Sequence, residues 1–260
     1  MTLQRQLSFM EQISQTNGKP GDRITGVIEG VVFPFRWCPP GNFVMGSPES
    51  EPDRSEDEIQ HKVQHTRGFW LMETPVTQEM YQVVTGTNPS EGGDDRKKYP
   101  VDMVTWGESM DYCTALTDLF HLTGWKVSLP TEAQWEYACR AGSTGSFGGS
   151  GDLNEHGWYF GRQHGKDPET HEVAQLQPNA WGFYDMHGNV CEWCVDFYDI
   201  DYYKSSPECD PTGAETGDSR VVRGGSSRDI PCGCRCAARI WGKLTCRQTF
   251  LGFRPVIVQE

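Results

Sequence analysis

The feature that most constrains the fold is the lack of helical periodicity in everything that follows Gly142. Residues 143–260 are dense in Gly, Asp and aromatic residues, with Asn in the first part, and this composition favours turns, loops and short strands. We therefore expect irregular loops and short strands to build the C-terminal half of the chain.

Helices and longer strands are predicted only before that point. The clearest start is at Thr131, which can cap a helix while Gln134 occupies the capping-box position three residues later. Helices are predicted over 77–84, 106–123 and 131–142. Strands are predicted over 26–37, 42–46 and 61–72.

The length and composition are compatible with one large domain. The chain has 260 residues, which is near the upper limit for a single core, and 36% of them are hydrophobic, including nine Trp. No repeat or linker interrupts it. We predict a polar lead-in over 1–24 and a single domain over 25–260.

The net charge of −13 excludes several classes of partner. No basic block offsets it, which argues against nucleic acid and anionic membranes. No apolar stretch has the length of a transmembrane helix or the character of a secretory leader. We expect a monomer, either surface-displayed or secreted with its leader removed, or otherwise cytoplasmic.

Seven motifs in the chain resemble the sulfatase-modifying-factor domain of formylglycine-generating enzymes and their non-catalytic relatives. They occur in the expected order over about residues 33–258. The motifs are NFVMGS (42–47), ETPVTQEMY (73–81), YPVDMVTW (99–106), LPTEAQWEYACRAG (129–142), PNAWGFYDMHGNVCEWC (178–194), RVVRGGSS (220–227) and RCAAR with LGFRPV (235–256). The resemblance implies an α+β, C-type-lectin-like fold with two main helices, small twisted antiparallel sheets and long loops.

The resemblance also suggests where metals would bind. In the catalytic relatives the MHGNVCEWC motif helps to build a calcium site, and Asn189 and Glu192 supply oxygen donors here. These two residues are weak calcium candidates. The stretch 157–165, where the enzymes place another calcium, shows no second cluster of donors. Copper is expected only if the chain is an oxidase.

The cysteines of the C-terminal segment do not match the enzymes. In formylglycine-generating enzymes, two cysteines five residues apart oxidise a peptidyl cysteine, and the nearer one lies three residues after a GGS triplet. Asp229 occupies that position here, and the segment up to RCAAR is three residues shorter. Cys232, Cys234 and Cys236 alternate, so on a strand they would share one face and could bind a soft metal, form a redox pair or simply pack.

The shorter spacing resembles the variable proteins of diversity-generating retroelements, which carry massive sequence variation on a C-type-lectin surface. The invariant frame of that branch is retained at Gly224, Gly225, Ser226, Cys234, Arg235, Arg239 and 251–254. The gaps between these positions, usually rich in Asn, contain no Asn here. The resemblance implies a variable region over 224–254, and ordinary divergence of a structural domain is the competing interpretation.

We therefore predict a non-catalytic protein that binds an unknown protein or cell-surface ligand through this segment. A copper-dependent formylglycine-generating oxidase is the alternative, and a regulatory or periplasmic relative without a variable ligand is a third. The predicted ligand-binding residues are Ser227, Arg228, Asp229, Ile230, Cys232, Gly233, Ala238, Ile240, Trp241, Gly242, Lys243, Leu244, Thr245 and Cys246.

Overall fold

Five helices occur in the computed structural model, which describes residues 8–15, 18–91, 94–162 and 169–260. They are α1 (Phe9–Gln15), α2 (Gln78–Thr85), α3 (Trp106–Leu119), α4 (Glu132–Arg140) and α5 (Leu153–His156). Capping boxes form at Thr105 with Glu108 and at Thr131 with Gln134, so side chains satisfy the first N–H groups of α3 and α4. The three helices predicted from sequence are confirmed.

A five-stranded sheet lies at the centre of the molecule. Its strands run in the order β1 (Arg23–Ile28), β2 (Val31–Cys38), β5 (Phe69–Met72), β13 (Val256–Gln259) and β6 (Trp125–Ser128), and all neighbours are antiparallel. Trp70 and Met72 pack into one core cluster with α3, while Phe69 and Leu71 pack into a second cluster with α4. All of β5 is buried because both faces of the sheet are covered.

A second, four-stranded sheet carries the C-terminal segment. Its order is β11 (Ile240–Lys243), β10 (Ser219–Arg223), β9 (Cys191–Phe197) and β12 (Leu251–Phe253), with β12 parallel to β9. Two small sheets complete the fold: β3 (Gly41–Met45) with β4 (His61–His65), and β7 (Gly157–Trp158) with β8 (His187–Gly188). The predicted α+β class with small sheets and long loops is observed.

Three sequence predictions placed element boundaries wrongly. The run 26–37 is a hairpin, because Glu29 and Gly30 both adopt positive φ angles and reverse the chain between β1 and β2. The run 61–72 divides into β4 and β5, which belong to different sheets. Helix α3 ends at Leu119 rather than near residue 123, and the left-handed backbone at His121 and Gly124 prevents its continuation.

The lead-in is part of the domain where the structure describes it. The side-chain amide of Gln12 donates to Thr25 O at 3.0 Å and accepts from Thr25 N at 2.9 Å. Ile13 is buried in the core. Residues 1–7 and 16–17 of the predicted lead-in lie outside the described residues. Across the described ranges, no helix has the length and apolar character needed to cross a bilayer.

Candidate functional site

A cavity of about 960 Å³ opens beside the four-stranded sheet, and we call it the C-terminal groove. Its floor includes Cys191, Val222 and Leu251 from three strands of that sheet. Eight predicted ligand-binding residues line it: Arg228, Asp229, Ile240, Trp241, Gly242, Lys243, Thr245 and Cys246. Chain topology therefore brings the two ends of the predicted variable region together around one cavity.

The exposed members of the predicted site are chemically varied. Trp241, Ile230 and Ile240 are 56%, 57% and 43% exposed, and all three belong to the one segment 224–254. The exposed residues are Arg228, Ile230, Ile240, Trp241, Lys243 and Thr245. The half-buried ones are Asp229, Cys232, Gly233, Leu244 and Cys246. These eleven residues are accessible to a partner.

Three residues of the predicted site are buried, which corrects their assignment as solvent-facing. Ser227 is 4% exposed, and its backbone N–H donates to Asn189 O at 3.1 Å. Ala238 is 8% exposed, and its carbonyl accepts from Arg223. A side chain at Gly242 would overlap the indole ring of Trp193. All three lie beneath the accessible surface and support it.

Buried arginines anchor the frame. Arg239 forms a two-pronged ion pair with Glu132 at 2.7 and 3.0 Å, and Arg254 pairs with Glu192 at 2.8 Å. Burial acts to raise the pKa of Glu132, but Arg239 and Arg223 outweigh it and leave that pKa below its usual value. Arg235 binds Glu51 and Glu58 in the loop before β4. These pairs fix the segment to distant parts of the chain.

Glycines fix the turn that begins the segment. Gly224 and Gly225 have φ angles of 92° and 66°, which favour glycine. A Cβ atom on Gly225 would lie 2.7 Å from Gly233 O and 2.8 Å from Cys234 Sγ. The two glycines of the GGS triplet are therefore required by the backbone path.

The segment that contains Cys232, Cys234 and Cys236 is not a strand, so the three thiols do not share one face. Pro231–Cys234 form one turn of 3-10 helix, because proline has a suitable φ for the first helical position and needs no N–H partner there. Cys232 is half-buried, while Cys234 and Cys236 are fully buried. The three thiols therefore do not form one exposed cluster.

Asp229 closes the turn instead of supplying a nucleophile. Its Oδ2 atom accepts from Ser226 N at 2.9 Å and from Ser226 Oγ at 2.6 Å, and lies 3.8 Å from Cys191 Sγ. Burial raises the pKa of both Cys191 and Cys234, which disfavours a reactive thiolate at either sulfur. The residues at this position do not fit the copper-binding cysteine pair of the oxidases.

The two weak calcium candidates have protein partners for their oxygen atoms. Glu192 accepts from Trp135 Nε1 at 2.7 Å and is paired with Arg254. Asn189 Oδ1 accepts from His171 N at 3.0 Å, and Asn189 Nδ2 donates to His171 O. With its carboxylate neutralised by Arg254, Glu192 does not suit a calcium ion. Of the stretch 157–165, residues 163–165 lie outside the described part of the chain.

Several groove residues were not predicted as ligand contacts. Arg247, Gln248 and Thr249 lie inside the predicted variable region and line the groove. Their neighbour Phe250 also lines it, and its ring lies under the guanidinium of Arg228 at 3.9 Å. Met103 comes from the loop before α3, and no local sequence signal connects it with the C-terminal segment.

Comparison with known proteins identifies one protein family over most of the chain. The family model of the sulfatase-modifying factor enzyme 1-like domain matches residues 35–259. The formylglycine-generating enzyme of Streptomyces coelicolor is 35% identical over 175 residues, which cover 61% of this chain and 52% of that enzyme. The chain therefore spans about half the length of the curated relatives it matches.

Two solved structures resemble most of the chain. Treponema denticola variable protein 1 superposes with a TM-score of 0.81 at 27% identity, covering 90% of this chain and 98% of that one. PvdO from Pseudomonas aeruginosa superposes with a TM-score of 0.77 at 27% identity, covering 92% and 98%. The predicted C-type-lectin-like fold and the resemblance to variable proteins are confirmed.

Proposed function

The chain belongs to the family of the sulfatase-modifying factor enzyme 1-like domain, and from that premise we propose that it is a non-catalytic member that binds a ligand at the C-terminal groove. The observation that carries this proposal is that the segment 224–254 contains both buried frame residues and accessible side chains. The frame arginines Arg239 and Arg254 are buried and ion-paired, whereas eleven of the fourteen predicted contact residues are exposed or half-buried. Such a segment can change its surface without losing its backbone path.

The surface has the residue types of a protein-binding site. Trp and Arg are enriched among residues that dominate binding energies, and both Trp241 and Arg228 are exposed beside the groove. Lys243 adds a second cation to a molecule whose net charge is −13. A protein or cell-surface ligand with apolar and acidic groups suits this combination.

The likeness to Treponema denticola variable protein 1 supports programmed diversification as the origin of the surface. The exposed positions of 227–250 are the ones that can vary at little cost in stability. Ordinary divergence within the family would instead leave this segment uniform among the cells of one culture.

Sequencing the gene and its flanks from many cells of one culture tests the proposal. We expect variation confined to codons 227–250, together with a near-copy of that segment and a reverse-transcriptase gene nearby. Within the segment, the codons of Ser227, Ala238 and Gly242 should vary less than those of Arg228 and Trp241. Uniform sequence across the cells, with no near-copy in the flanks, would favour a fixed structural or regulatory domain.

The alternative oxidase activity draws on the identity to formylglycine-generating enzymes. That identity extends over 61% of this chain, but the position that carries a catalytic cysteine in the enzymes holds Asp229. The geometry of Asp229 therefore favours the binding function, and an oxygen-consumption assay distinguishes the two.

A further inference from the structure

A second cavity, of about 560 Å³, lies on the side of the central sheet that α4 covers, and we call it the α4 cavity. It is surrounded by strands β6, β9 and β13, the first turn of α4, the connection from β4 to β5 and the loop 210–212. The whole of the segment 224–254 is described, and none of its residues lines this cavity. The α4 cavity is therefore separate from the C-terminal groove, and its volume lies in the range of small-molecule sites, about 300–1,000 Å³.

The inner wall of the α4 cavity is apolar. Leu129 and Val256 are buried there, and Val195 and Val258 are half-buried. Val256 and Val258 project from the same face of β13, because successive side chains of a strand alternate between its two faces. An apolar group placed against this wall would leave water, which favours its binding.

Two cations line the same cavity without an acidic partner. Arg67, between β4 and β5, and Lys126, on β6, are both exposed. In the described part of the chain, neither forms an ion pair. The frame arginines Arg239 and Arg254 differ in this respect, since each is paired with a glutamate. Arg67 and Lys126 are therefore available to an anionic ligand.

The only carboxylate among the lining residues, that of Asp210, is engaged within the wall. Its Oδ1 atom accepts from Thr66 N at 2.9 Å, and its Oδ2 atom accepts from the Thr66 hydroxyl. His65 also lines the cavity, and burial lowers the pKa of its imidazole, although nearby Asp210 acts in the opposite direction. The ring is therefore uncharged at neutral pH, which leaves two cations against one carboxylate around the cavity.

We propose that the α4 cavity binds a monocarboxylate with an apolar body, the carboxylate at Arg67 and Lys126 and the body against Val256 and Val258. Arginine and lysine form charge-assisted hydrogen bonds with carboxylates, and these are stronger than bonds between neutral groups. A single negative charge suits the site better than a polyanion, because the net charge of −13 repels a ligand more strongly as its own negative charge increases. This site does not depend on the function proposed for the C-terminal groove.

The test measures binding of decanoate to the purified full-length protein by isothermal titration calorimetry at low ionic strength, where exposed charges are least screened. We expect one site with a dissociation constant below about 1 mM. Decanol, which has the same chain without the charge, should bind at least about tenfold more weakly. Arg67→Gln and Lys126→Gln should each weaken decanoate binding by about tenfold, the loss expected for one hydrogen bond to a charged group, and leave decanol binding unchanged.

Two further lysines supply matched controls. Lys62→Gln removes an exposed cation from β4 outside the cavity, and Lys243→Gln removes one from the C-terminal groove. Both variants should bind decanoate as the wild type does. Val258→Phe, which narrows the cavity, should weaken the binding of decanoate and decanol alike.

Four results would overturn the proposal. They are the absence of saturable decanoate binding, equal affinities for decanoate and decanol, full affinity in the Arg67→Gln/Lys126→Gln double variant, and a loss in Lys243→Gln as large as in the cavity variants. The last result would place decanoate in the C-terminal groove. The comparison of decanoate with decanol uses the wild type alone, so it decides the matter even if a variant does not fold.

Discussion

Trp135 shows how a single side chain joins the core to the polar interior. It is completely buried, and its indole N–H donates to Glu192 at 2.7 Å, while Glu192 in turn pairs with Arg254 of the C-terminal frame. The helix over 131–142 that carries it was predicted from sequence. Its link to Glu192 was not, because the two residues are 57 positions apart in sequence.

Replacing Trp135 by Ala should lower the free energy of unfolding by about 3–5 kcal/mol, as the loss of a buried aromatic side chain does. Urea denaturation followed by circular dichroism measures the change. Trp241→Ala is the matched control, since this tryptophan is 56% exposed and should change stability by about 0.5 kcal/mol or less. A loss below about 1 kcal/mol for Trp135→Ala would contradict the packing of α4.

Asp196 makes stability depend on pH. Burial, followed by the nearby charge of Glu132, raises the pKa of Asp196 to about 8, although Glu132 N donates to its carboxylate and Arg239 opposes the rise. The folded state therefore binds a proton that the unfolded state releases above about pH 4, so this contribution to stability decreases as the pH rises toward 8.

Asp196→Asn removes that titration while keeping the shape of the side chain. The free energy of unfolding of the wild type, relative to this variant, should fall between pH 5 and pH 8 by up to about 1.4 kcal/mol per pH unit. Denaturant titrations at several pH values give the comparison. Asp218→Asn, at an exposed aspartate, should run parallel to the wild type. A constant difference between wild type and Asp196→Asn would mean that Asp196 is charged throughout.

At the scale of elements, local signals predicted helices better than strands. The capping box predicted at Thr131 is a short-range feature and is present in the structure, which has a second capping box at Thr105. At the break between β4 and β5, the N–H of Thr66 donates to Asp210 at 2.9 Å, a partner 144 residues away that local sequence does not reveal. The turn at Glu29 was missed because glutamate does not ordinarily mark a positive φ.

In the candidate site, too, the sequence did not reveal contacts between residues that are distant in the chain. The segment 224–254 was identified from its frame, and most of the predicted residues are accessible. Ser227, Ala238 and Gly242 were placed on the surface because sequence alone does not reveal Trp193 or Asn189 beside them. The alternation of Cys232, Cys234 and Cys236 would place them on one face only if the segment were a strand. Pro231–Cys234 instead form a turn of 3-10 helix that begins at the proline.

The C-terminal segment should tolerate replacement of its surface side chains together. Changing Arg228, Ile230, Trp241, Lys243 and Leu244 to Ser should leave the far-UV spectrum unchanged and the melting temperature nearly so, because all five are exposed or half-buried. Gly225→Val should not fold normally, since its Cβ would meet Gly233 O and Cys234 Sγ. A five-fold variant that fails to fold would make the segment structural and remove the basis for a variable binding surface.

The molecule combines the fold of its family with an exposed surface in the segment 224–254. The central five-stranded sheet is covered by α3 and α4, and the buried Arg–Glu pairs hold the loops of the second sheet against it. This arrangement supports either binding or catalysis, because a fold shared across a family does not determine the chemistry at its surface. Whether the protein binds a ligand or catalyses an oxidation therefore depends on the chemistry of the side chains at the groove.

The purified protein should consume no oxygen when given a peptide with the motif Cys-x-Pro-x-Arg, even after loading with copper. Asp229 occupies the position of the nearer catalytic cysteine and is bound to Ser226, and the neighbouring thiol of Cys234 is fully buried. An oxygen electrode and mass spectrometry of the peptide measure turnover, with a formylglycine-generating enzyme as the positive control. Cys234→Ser supplies the critical comparison. Turnover that this substitution abolishes would establish the oxidase, whereas the absence of turnover at every copper concentration agrees with a binding protein.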